Sequence, residues 1–197
     1  FRSLSPRQWK NHLVADAIDP GSTLKAVVMT AALETDAFNE RDTLYCENGE
    51  YKFHDRVIHD FHKYARLNFL EVFQLSSNIC AAKIGVDLGR KTVFEFVKKF
   101  GLGERTGIDL PGEIRGLISH YSTWTPVDVA NISYGQGLAV TPIQIASVFA
   151  AFANGGRLVT PHLAKKVTDA HDRLVREIET TPGRQVASAR TIERANR

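Results

Sequence analysis

Ser22 and Lys25 stand three residues apart in Asp19-Pro20-Gly21-Ser22-Thr23-Leu24-Lys25, directly ahead of the apolar run Ala26 to Leu33. Pro20 and Gly21 punctuate the backbone before a segment of helical spacing, which predicts Ser22 in the first turn of a helix and Lys25 one turn on. Residues three apart share a helix face, so the hydroxyl and the amine can come within hydrogen-bonding reach. A serine is a poor nucleophile until a neighbouring base takes its proton. A lysine serves as that base only when its pKa falls well below about 10.4, through burial or cationic neighbours. The helix start also turns its amides, and about half a positive charge, toward whatever is bound at Ser22. The pair offers a nucleophile with its base beside it.

The same residues also make an ordinary helix start, and a Ser-x-x-Lys spacing arises by chance about once in a chain this long. Ser76-Ser77-Asn78 adds weight, because a Ser-x-x-Lys followed by a Ser-x-Asn set is a known active-site combination. Asn68-Phe69-Leu70-Glu71 has capping-box spacing and predicts a helix start just ahead of it. In one unbroken helix Ser76 and Asn78, two apart, would point in different directions. For both to face Ser22, the backbone near Ser77 must turn between two helices. Ser133-Tyr134-Gly135-Gln136-Gly137 then places glycines on both sides of one polar residue. Such torsional freedom suits a tight turn or a close approach to substrate, which makes Gly135, Gln136 and Gly137 candidate binding positions.

The elements around these stretches are read from periodicity and caps. Ser5-Pro6 with Arg7-Gln8-Trp9 reads as a short helix start, and Asn11 to Asp19 as a connection. Leu24, Val27, Val28, Ala31 and Ala32 form an inward stripe on the Ser22 helix. Phe38 to Lys63 is loop-like, with a turn signal at Asn48-Gly49. Ile79, Ala82, Val86 and Leu88 form a stripe ending at Gly89, and Thr92-Val93-Phe94-Glu95 starts a further helix with Phe96, Val97 and Phe100 inside. Gly101 to Gly116 reads as turns with a short strand at Thr106 to Leu110. Thr125-Pro126 opens a helix toward Ile132, and Thr141-Pro142-Ile143-Gln144 opens another with Ile145, Val148, Phe149 and Phe152 inward. Leu163 to Val167 and Leu174 to Ile178 form a β-hairpin, and a last helix starts at Ser188.

The 197 residues fit one domain or a large part of one, and 43% apolar content can bury a core. A net charge of +3 without a dense basic patch argues against nucleic acid. No apolar run reaches eighteen residues and no leader opens the chain, so this segment is expected to have no membrane contact of its own. Two cysteines are too few for a disulfide scaffold; whether Cys46 and Cys80 pair is left open, and Cys80 reads as a small core filler. His59-Asp60-Phe61-His62 lacks further ligands at metal-site spacing, so no metal or cofactor is expected.

Together with Thr141-Pro142-Ile143-Gln144 through Ala153-Asn154-Gly155-Gly156, these motifs resemble the transpeptidase domain of a class B penicillin-binding protein, over nearly the whole chain. The resemblance implies an α+β, β-lactamase/transpeptidase-like fold in which residues 1–197 are the central part of the domain, mainly its helical part with a small hairpin. No Lys-Thr-Gly or Lys-Ser-Gly occurs. In the family that third motif lies on a strand beyond the region matching Thr191 to Arg197, so truncation at both ends is expected, with apolar surface uncovered, a tendency to associate, and little or no activity in the segment alone.

The implied activity is peptidoglycan D,D-transpeptidation through an acyl-serine. Ser22 attacks, Lys25 is its base, Ser76 relays a proton to the leaving amine, and Asn78 binds the substrate amide or holds Lys25. Ser22 also contributes a backbone N–H to the oxyanion hole. The resemblance further implies that His59-Asp60-Phe61-His62 lies in a loop near the active site, with a structural hydrogen-bonding role. Stem peptides and β-lactams are the implied ligands and the cell-wall synthesis machinery the implied partner. The site would lie on the outer face of the cytoplasmic membrane, anchored by a region outside these residues. Two alternatives share the fold: a serine β-lactamase, which needs a water-activating base that no glutamate obviously supplies, and a non-catalytic scaffold of division or elongation.

Overall fold

The computed structural model describes residues 9–178 and 183–196. The Ser5 to Gln8 part of the expected first helix lies outside them. Helix α1 (His12–Ala15) follows, capped by Asn11, within the stretch expected to be a plain connection. A 3₁₀ turn at Gly21–Leu24 then runs straight into helix α2 (Lys25–Glu34). The expected one-sided stripe on α2 is instead burial on every side, from Lys25 to Leu33. A helix apolar all round belongs at the centre of a core, and α2 is packed by helices α3 (Phe69–Gln74), α4 (Asn78–Lys99) and α7 (Ala189–Ala195).

The stretch from Phe38 to Lys63, expected to be a loop, contains strands β1 (Thr43–Tyr45), β2 (Glu50–Phe53) and β3 (Arg56–His59). Strand β1 pairs antiparallel with β4 (Arg66–Asn68), and β2 with β3, Tyr51 opposite Ile58. These ribbons have solvent on one side, so few of their positions are apolar and periodicity gives little sign of them. Asn68 and Glu71 complete the expected capping box of α3. Between α3 and α4 the chain turns at Leu75–Ser77, as the facing argument requires, with Ser76 in the left-handed region at φ 56°.

Helix α4 is broken at Gly89 (φ 78°, ψ 155°). Thr92 is therefore already inside the second helical segment, and the capping box expected from Thr92 and Glu95 does not form. Helix α5 (Pro126–Ser133) starts at the Thr125 capping box and crosses α4 where Gly85 meets Ser133; a Cβ on Gly85 would come within 1.6 Å of the Ser133 hydroxyl oxygen. Helix α6 (Pro142–Ala153) starts at the Thr141–Gln144 box. Its Val148 and Phe152 face the core, whereas Phe149, expected inward, is 46% exposed.

The strand expected at Thr106 to Leu110 is irregular backbone. The Glu113 carboxylate accepts from Thr106 N, Thr106 Oγ1 and Gly107 N, taking the groups a ladder would use. The expected hairpin forms from β6 (Lys166–Thr168) and β7 (Leu174–Glu177). It begins later than Leu163 because Leu163 N and Ala164 N donate to the Asp109 carboxylate. Strands β5 (Arg157–Leu158) and β8 (Arg184–Gln185) form a fourth ribbon, and Ser188 caps α7. Cys46 and Cys80 are joined in a disulfide, which removes Cys80 from the role of simple core filler. No helix among the described residues is long and apolar enough to cross a membrane.

Candidate active site

Ser22 sits in a turn held from below by the segment that follows α5. Ile18 and Val140 exchange backbone hydrogen bonds at 2.9 Å, and Gly21 N donates to Gly135 O at 3.0 Å. Gly135 has φ 89°, and a Cβ there would lie 1.8 Å from Gly21 O. The glycine turn, expected to be a tight turn or to come close to substrate, comes close at Gly135 to the backbone beside Ser22. Gly135 is buried, while Gln136 and Gly137 are exposed. Thr23 Oγ1 closes the turn by donating to Pro20 O. Ser22 is exposed, yet Lys25, where the 3₁₀ turn becomes α2, is only 2% exposed.

The two ends of this short span meet different chemistry. The Lys25 ammonium donates to Ser76 O (2.5 Å), Ser76 Oγ (2.9 Å) and Asn78 Oδ1 (2.8 Å). None of its hydrogen bonds goes to Ser22. Instead Ser76 Oγ, which accepts from Lys25, donates to Ser22 Oγ at 3.0 Å. The direct pair expected from the i, i+3 spacing is replaced by a relay through Ser76, because the buried Lys25 side chain is taken up by the turn ahead of α4. Burial pushes the Lys25 amine down to about 8, the desolvation of its charge outweighing the attraction of the Asp60 carboxylate.

The turn that carries Ser76 and Asn78 is held in turn by the last residue of β3, His59, and the residue after it, Asp60. Ser77 caps α4, accepting from Cys80 N at 3.0 Å and donating to Asp60 Oδ2 at 2.6 Å. Asp60 Oδ1 accepts from Asn78 N and Ile79 N, a favourable place for a carboxylate because helix starts leave amides without partners. Asn78 Nδ2 donates to His59 O at 3.1 Å, which leaves Asn78 Oδ1 turned to Lys25. The disulfide links Cys80, in the first turn of α4, to the residue after β1. Asp60 has no position in the sequence motifs. The one signal was its place between His59 and His62, where a general hydrogen-bonding role was expected.

Ser22, Lys25, Ser76 and Asn78 are therefore one connected cluster, with two hydroxyls at the surface and an amine of lowered pKa beneath them. Such a cluster can move a proton from an outer hydroxyl to a buried amine. The family model described as the penicillin-binding protein transpeptidase domain matches residues 2–197. The chain is similar to stage V sporulation protein D of Bacillus subtilis, at 34% identity over 86% of this chain and 27% of that protein. It is also similar to the peptidoglycan D,D-transpeptidase FtsI of Escherichia coli, at 32% identity over 75% of this chain and 25% of that protein. It thus spans about a quarter of the length of these relatives. The aztreonam complex of penicillin-binding protein 3 from Mycobacterium tuberculosis superposes with a TM-score of 0.85, at 29% identity, covering 94% of this chain and 41% of that one. The chain belongs to the penicillin-binding protein transpeptidase domain family, in its class B branch, and has the family's α+β fold.

Proposed function

We propose that the protein containing this chain is a peptidoglycan D,D-transpeptidase that works through an acyl-serine at Ser22. The observation that carries the reading is the continuous hydrogen-bonded line from Ser22 Oγ through Ser76 Oγ to the desolvated Lys25 amine. The name of the Escherichia coli relative and the aztreonam complex of the mycobacterial one support the substrate class and the inhibitor class.

With Lys25 neutral, the hydroxyl rotors reverse, so that Ser22 donates to Ser76 and Ser76 to Lys25 Nζ. Ser22 Oγ attacks the carbonyl carbon between the last two D-alanines of a stem peptide. Its proton passes to Ser76 Oγ as the Ser76 proton passes to Lys25. The C–N bond then breaks, the terminal D-alanine leaves with the proton returned through Ser76, and Ser22 holds the acyl group. An amine of a second stem peptide takes the acyl group by the same path in reverse. The Ser22 backbone N–H supports the oxyanion, and Asn78 holds Lys25 and offers its amide to the substrate. Gln136 and Gly137 lie open on the turn that braces Ser22 and would line the substrate, with Gly135 setting their position. A β-lactam acylates Ser22 by the same step. The site would work on the outer face of the cytoplasmic membrane with the cell-wall synthesis machinery.

Mass spectrometry of the full-length protein after exposure to a penicillin tests this. The wild type gains one penicilloyl mass on the peptide holding Ser22, and Ser22→Ala gains none. A wild type without an adduct, or a variant with the same one, overturns the reading.

A further inference from the structure

The carboxylate of Asp60 is spent entirely on the second polar set. Oδ2 takes the Ser77 hydroxyl, and Oδ1 takes the backbone N–H of Asn78 and of Ile79. Its own backbone N–H is anchored on Gly49 O, three residues after Cys46 of the disulfide. The residue before it, His59, accepts the Asn78 side-chain amide. Residues 59 and 60 thus hold Asn78 by its main chain and its side chain at once. They do so next to Ser76, which stands in the left-handed region at the end of α3, a conformation that costs free energy for a residue other than glycine.

We propose that Asp60 is a positioning residue of this site: its carboxylate fixes the Ser76–Asn78 turn so that the Ser76 hydroxyl bridges Ser22 and Lys25, and it sets a negative charge opposite the Lys25 amine. The groups that face Lys25 from the elements around it are Ser76 and Asn78 ahead of and in α4, both neutral, and Asp60 after β3. Asp60 is the charged group that acts on it among the described residues. The groups that face Asp60 are Ser77, the α4 amides and, through space, Lys25. The proposal rests on the acyl-serine reading for its kinetic test, and its second readout does not.

In the full-length protein, Asp60→Asn keeps the shape and an acceptor for the α4 amides while removing the charge; Asp60→Ala removes both. Asp60→Ala is expected to lower the second-order rate of acylation by a fluorescent penicillin at least tenfold. Asp60→Asn, with a wild-type melting temperature, is expected to shift the acid limb of the acylation pH profile to lower pH, because the charge that favours the ammonium is gone. The Lys25 titration, followed by NMR of lysine labelled with carbon-13 at Cε, should fall in midpoint by the same amount. That readout stands even if Ser22 gains no adduct. A wild-type acylation rate in Asp60→Ala, or an unmoved Lys25 midpoint in folded Asp60→Asn, overturns the proposal.

Discussion

The Ser76 hydroxyl lies 3.0 Å from the Ser22 hydroxyl and 2.9 Å from the Lys25 amine, so a side chain 54 residues away joins two groups that are three residues apart. The hydrogen-bonded line from Ser22 to Lys25 depends on the turn between α3 and α4 as much as on the helix start that carries Ser22.

Removing that bridge should disconnect Lys25, the proposed base, while leaving Ser22, the proposed nucleophile, in place. Ser76→Ala is expected to slow acylation of the full-length protein by a fluorescent penicillin by about 10²–10⁴, the usual range for a lost acid–base group. A Ser76→Ala rate within a factor of three of wild type would mean that Lys25 reaches Ser22 without it.

Lys25, pushed down to about 8, sets a pH dependence. Acylation should rise with pH along a limb centred near 8 and level off above it, because the neutral amine accepts the proton. The linkage to folding has a definite sign. The folded pKa lies below the unfolded value near 10.5, so the unfolded chain binds the extra proton between about 8 and 10.5, and stability from this group rises across that window. Denaturant titrations of wild type and Lys25→Met at pH 7.5 and 10 would show it as a wild-type gain that the variant lacks.

Gly135 and Gly137 share a positive φ but differ in their surroundings. A Cβ at residue 135 would overlap Gly21 O at 1.8 Å, whereas at residue 137 the nearest atom is Ile132 Cγ1 at 3.9 Å. Backbone strain of roughly 1–3 kcal/mol applies to both. Gly135→Ala adds the overlap and displaces the Ser22 turn. It should therefore lower the melting temperature further than Gly137→Ala does, and lose acylation in the fraction that remains folded. Equal losses in thermal scans of the two variants would contradict the clamp.

The Cys46–Cys80 disulfide closes a loop of sequence separation 34 around β2, β3, β4 and α3. In the chain-entropy account such a link contributes roughly 2–4 kcal/mol. Cys46→Ala/Cys80→Ala should show a loss of that size in urea unfolding, and reductant should have no further effect on the double variant. An unchanged midpoint would place the stabilisation elsewhere.

The sequence by itself determined the two polar sets, the caps at Asn68, Thr125, Thr141 and Ser188, and the need for a turn near Ser77. Each of these is local: a cap is satisfied within three residues, and side-chain direction follows from helical spacing. The family, too, was legible from motif order. Only the tertiary structure decided that Lys25 bonds Ser76 and Asn78 in place of Ser22, that Asp60 holds the α4 start, and that Gly135 braces Gly21. The ribbons within Phe38 to Lys63 and the irregular path at Thr106 were decided there as well. Apart from the β2–β3 hairpin, whose partners stand 3 to 9 positions apart, these outcomes depend on partners from 6 to 114 positions away, and hydrogen bonding and burial across such separations leave no periodic trace in the chain. A buried amine takes the acceptors that packing brings to it, and packing exists only once the core has formed.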